Sequence, residues 1–137
     1  MMNEKEVIKA AEQAYSMFSK KHKVDVFLEF LNEEEFFDLS SRSRIIHEEM
    51  KEGLPIKVGS LVVHSGRKET IVLCKDVINL LTKDPEFVKA LVLHELFHVL
   101  DRSKVKGQDM LDFIASEDRV HKDFKKEFPK YAEMLEL

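Results

Sequence analysis

Cysteine is nearly missing from this chain. Cys74 stands alone among 137 residues, which excludes an internal disulfide and fits a reducing compartment. Clusters of lysine and arginine interleaved with aromatics are also missing, and the net charge is −4, so nucleic acid is not an expected partner. No apolar run approaches the roughly 20 residues that a membrane span requires. The opening residues Met1-Met2-Asn3-Glu4-Lys5-Glu6 are charged and unlike a secretion signal. Repeats, low-complexity tracts and long linkers are absent as well. These absences lead us to expect a cytoplasmic, single-domain protein spanning 1–137. A hydrophobic content of 44% suffices for one real core.

Periodicity supplies the elements. Asn3 to Lys21 places Val7, Ile8, Ala11, Ala14, Tyr15 and Phe18 on one helical face. Val24 to Phe30 is β-branched and aromatic, and reads as a strand. The acidic run Glu33–Glu35 and a serine-rich joint read as solvated chain, followed by a short helix over Arg44–Lys51. Leu54 to Ser65, with Gly59 as a bulge, and Glu69 to Cys74 form an expected hairpin around the turn at 65–68. Val77–Leu81 reads as a helical turn. Asp84-Pro85-Glu86 is a strong helix start, and the helix from there to Asp101 is apolar almost all round, so it must be buried on most sides. Met110 to Phe128 is a further helix, ended by Pro129 before a tail at Tyr131–Leu137. The expected class is α+β: a small, mostly antiparallel sheet packed with an N-terminal helix, a buried central helix and the helix that follows it.

Chemistry is concentrated at His94-Glu95-Leu96-Phe97-His98. Histidines four residues apart share a helix face and can converge on one metal ion, with Glu95 between them as general base. A catalytic zinc takes three protein ligands and keeps one open position. Glu117, with eighteen residues between it and His98, lies on the next predicted helix and is the candidate third ligand. Asp112, Asp118 and His121 compete with it. Without a metal, three polar side chains would sit unpaired in a buried helix, which is energetically hard to rationalise. Asp101 lies one turn after His98, where it reads equally as a partner for a ligand ring or as a surface acid. The oxyanion stabiliser is open among His121, Arg119, His64 and Tyr131. His22 and His47 fall outside the constellation and read as surface residues.

These motifs resemble the gluzincin metallopeptidases. The stretch from Ile71 to Leu81, then Asp84-Pro85-Glu86 and His94–His98, is similar to the catalytic region of the CAAX-prenyl proteases. The short length and lack of spans look more like the soluble archaeal minigluzincins. The likeness covers roughly residues 54 to 125. It implies a zincin-like fold and a zinc peptidase acting on a peptide or protein substrate. His94, His98 and Glu117 would be its ligands and Glu95 its base. One departure stands out: members often carry an aspartate four residues after the ligand glutamate, and here that position is His121. The family's minimal members also resemble latent forms, with clefts covered by terminal segments. That role would fall here to 129–137 or to the N-terminal helix. The alternative is a non-catalytic, zinc-binding interaction module with a degenerate site.

Overall fold

The computed structural model describes residues 2–42, 60–65, 68–104 and 110–137; within these, the side chains of 39–42, 60–65, 68, 102–104 and 110–117 are not described. In chain order the elements are α1 (Glu4–Ser19), β1 (Val26–Leu31), α2 (Glu33–Arg42), β2 (Ser60–Ser65), β3 (Lys68–Cys74), α3 (Lys75–Leu81), α4 (Pro85–Lys104), α5 (Met110–Glu127) and α6 (Pro129–Met134). The expected helix at 44–51, the first part of the expected strand from 54, the Gly59 bulge and His47 lie outside the described residues.

The class is α+β, as the sequence implies. The sheet has the order β1-β3-β2, with β1 parallel to β3 and β2 antiparallel to it. The expected hairpin is present, pairing Ser65 with Lys68 and Ser60 with Leu73. The expectation of a mostly antiparallel sheet is corrected, because the sheet is mixed. Alternation of apolar residues tells which face of a strand is buried but not which way its neighbour runs. Only the short turn between β2 and β3 forces antiparallel pairing.

Four consecutive residues of β3, Ile71, Val72, Leu73 and Cys74, are buried, as befits a central strand covered on both faces. Ile71 and Leu73 join the main core with α1, α4, α5 and α6. Val72 and Cys74 face the other way, against Phe36 of α2 and Val77 of α3. The sheet is thus the middle of three layers. Within the main core α4 packs against α1, α5, α6, β2 and β3. Its residues Val88, Ala90 to Leu93, Leu96, Phe97 and Val99 are buried, fulfilling the all-round apolar pattern. Asp84 caps it as expected, its Oδ1 accepting from the Glu86 N–H at 3.0 Å.

Three local readings change. The run Glu33–Glu35 is exposed to solvent, as expected, but it also forms the first turn of α2, where acids suit the positive end of the helix dipole. Asn32 Oδ1 accepts from the Glu35 N–H at 2.8 Å, and Glu35 Oε1 accepts from the Asn32 N–H at 3.3 Å. This is a reciprocal cap of two side chains three residues apart. His22 is not a bare surface residue: its Nε2–H lies 2.8 Å from both oxygens of Glu127, and its ring packs on Phe18 and Phe97. What reads as a tail is a core helix. Pro129 opens α6, Ala132 is buried, and Leu135 and Leu137 pack on the main core. The Tyr131 hydroxyl donates to Glu86 Oε2 at 2.7 Å, tying α6 to the start of α4.

Candidate metal centre

The site is built on the middle of α4, between the sheet and α5. The His94 and His98 rings lie 4.7 Å apart, centroid to centroid, nearly at right angles. Two imidazoles on one tetrahedral ion, each bound through nitrogen at about 2.0–2.1 Å, would have centroids about 5 Å apart. The spacing of the pair therefore suits a shared ion. Helical geometry alone produces it, since residues i and i+4 stand one above the other.

His94 is the anomaly. Its Nε2 is inaccessible to solvent and has no hydrogen-bond partner among the described residues. On the other side of the ring, Nδ1 lies 3.9 Å from Glu95 Oε1, too far for a hydrogen bond. Burial, and then the neighbouring His121, push the His94 pKa down to about 4, so the ring is neutral near pH 7. A neutral imidazole is the form that binds a transition metal, through whichever ring nitrogen carries the lone pair. Glu95 is 12% exposed beside it.

Glu117 lies in α5, four residues before His121 and so on the same face one turn earlier. Its side chain lies outside the described residues, as do those of Asp112 and His64. The His121 ring is 5.6 Å from that of His94, and burial lowers its pKa. Phe124 closes the site from the same helix, 6.0 Å from His94 and 5.5 Å from Phe97. Among the described residues no three His, Cys, Asp or Glu side chains form a group that could hold a metal.

Asp101 and Arg119, each a separate candidate in the sequence, are brought together. Arg119 Nε donates to Asp101 Oδ1 at 2.9 Å and Nη2 donates to Oδ2 at 3.1 Å. Tyr131 is instead engaged with Glu86, near the start of α4. Cys74 is buried at the end of β3, and burial pushes its thiol pKa up, so it is a packing residue and not a reactive one. The pairing of His22 with Glu127 has no sequence signal, because 105 positions separate them.

No described helix is long and apolar enough to cross a membrane. No family model matches the chain, and neither a curated protein nor a solved structure matches it.

Proposed function

We propose that this chain is a zinc-dependent peptidase of gluzincin type, in keeping with its resemblance to the soluble minigluzincins. The observation that carries the reading is the buried Nε2 of His94, which has no hydrogen-bond partner among the described residues, with the His98 ring beside it. An unpaired nitrogen in a closely packed helix is unfavourable unless something else completes it. A metal ion does so. His94, His98 and Glu117 would hold the ion, and bound zinc would supply Lewis-acid polarisation of a peptide carbonyl. Glu95 takes a proton from the attacking water and returns it to the leaving amine, acting first as base and then as acid. Glu95 follows His94 directly in the chain, its side chain 12% exposed, which places it at the same site. A peptide substrate would lie along β2, which pairs on one side with β3 and has no second strand partner among the described residues. Recognition there would be through the main chain.

Metal analysis and substitution test the reading. Protein purified without added zinc should carry about one zinc per chain. Glu95→Gln should keep the metal and lose peptide hydrolysis, whereas His98→Ala should lose both. Full metal content in the His98 variant would reject the ligand assignment.

A histidine at position 121, where the family often carries an aspartate, favours a second reading, a non-catalytic module with a degenerate zinc site. A peptide library separates the two. Zinc-loaded, full-length protein that cleaves nothing while Glu95 is intact supports the module.

A further inference from the structure

The fork between Asp101 and Arg119 is a costly contact in an awkward place. Asp101 stands in the last turn of α4, where the free carbonyls of the helix end disfavour a negative charge. Its side chain is only 11% exposed, so lost hydration adds to the penalty. Arg119 offsets both through two separate hydrogen bonds. A single bond would fix a distance; a planar two-point contact also fixes rotation.

Its position gives that rigidity a use. Asp101 is three residues after His98, and Arg119 lies between Glu117 and His121. Other described contacts between α4 and α5 include ring packing such as Phe97 on Phe124, whose geometric preferences are broader than those of a two-point hydrogen bond. A slip by one helical turn would shift an α5 side chain by about 5.4 Å. Metal ligation tolerates about 0.2 Å.

We propose that the Asp101–Arg119 fork is a positioning device for the metal centre, holding α5 in register on α4 so that the α5 ligand meets His94 and His98. The inference rests on the metal-centre reading above. Neither residue touches the reacting atoms; both act through the helices that carry the ligands.

The experiment uses the full chain, stripped of metal and titrated with zinc against a chromophoric chelator. Wild type is compared with Arg119→Lys, which keeps the charge but not the fork, and with Arg119→Gln. Zinc affinity should fall about tenfold in the lysine variant and further in the glutamine variant, within the 10–100-fold range of residues that orient ligands. Metal-free unfolding midpoints of wild type and the lysine variant should agree within a few degrees. Rescue by lysine to full zinc affinity, or affinity losses that only track metal-free stability, would overturn the positioning role. Wild type that binds zinc alongside two variants that match it overturns the fork alone. Wild type that binds no zinc overturns the metal centre and the fork together.

Discussion

Burying the Nε2 of His94 with no hydrogen-bond partner among the described residues costs the protein about 1–3 kcal/mol. That penalty leads to a prediction opposite in sign to most core substitutions. His94→Phe replaces the ring with an apolar one among Phe97, Phe124 and His98, removing the unsatisfied atom. Metal-free His94→Phe should be more stable than metal-free wild type by about 1 kcal/mol in urea unfolding, while losing zinc uptake. A clear loss of stability would mean that the nitrogen is satisfied in solution. At this scale the sequence was informative where partners are close along the chain. The His94–His98 pair follows from a spacing of four, and Asp84 from its place before Pro85. The Asp101–Arg119 fork could be guessed only as two separate charges, because nothing in a spacing of 18 tells that two side chains point at each other.

Among the elements, α2 carries the clearest lesson. Its start is written in Asn32 and Glu35, an asparagine followed three residues later by a glutamate, yet three consecutive acids disguise it as solvated chain. The helix matters because Phe36, wholly buried, covers the face of the sheet opposite α4. Asn32→Ala removes the side-chain acceptor and should destabilise the protein by about 1 kcal/mol, measured by urea unfolding, with no change in zinc affinity. An equal loss of zinc affinity would show that the two sides of the sheet are coupled. The parallel pairing of β1 with β3 was not legible for a different reason. It depends on where the chain goes after α2, and strand patterning does not record that path.

For the molecule as a whole, contacts between distant parts of the chain decide stability. Met2 is buried, its N–H donating to Asn79 Oδ1 at 3.1 Å while its carbonyl accepts from Asn79 Nδ2. His22 reaches Glu127, and Tyr131 reaches Glu86. The last of these gives a pH signature. Burial, then the bond to Glu86, pushes the Tyr131 pKa up to about 12, above its ordinary value of about 10. A raised pKa in the folded state means that this contribution is complete below pH 10 and is lost as pH rises through about 12. The hydrogen bond from Tyr131, followed by that from Lys89, lowers the Glu86 pKa, so its contribution is present above the ordinary carboxylate range and fades in acid. Tyr131→Phe should therefore be less stable than wild type by about 1 kcal/mol at pH 8, and the difference should shrink steadily above pH 10. A gap that stays constant to pH 12 would exclude the contact as its source. The class, the central helix and the hairpin were readable from local pattern; this stitching was not, because each stitch joins residues 45 to 105 positions apart.

One consequence concerns activation by trimming. Removing residues from Pro129 onward would take away Ala132, Leu135 and Leu137, and the anchor on Glu86, baring apolar surface along the very helix that bears His94. Scissors at this end would loosen the scaffold that carries the two histidines.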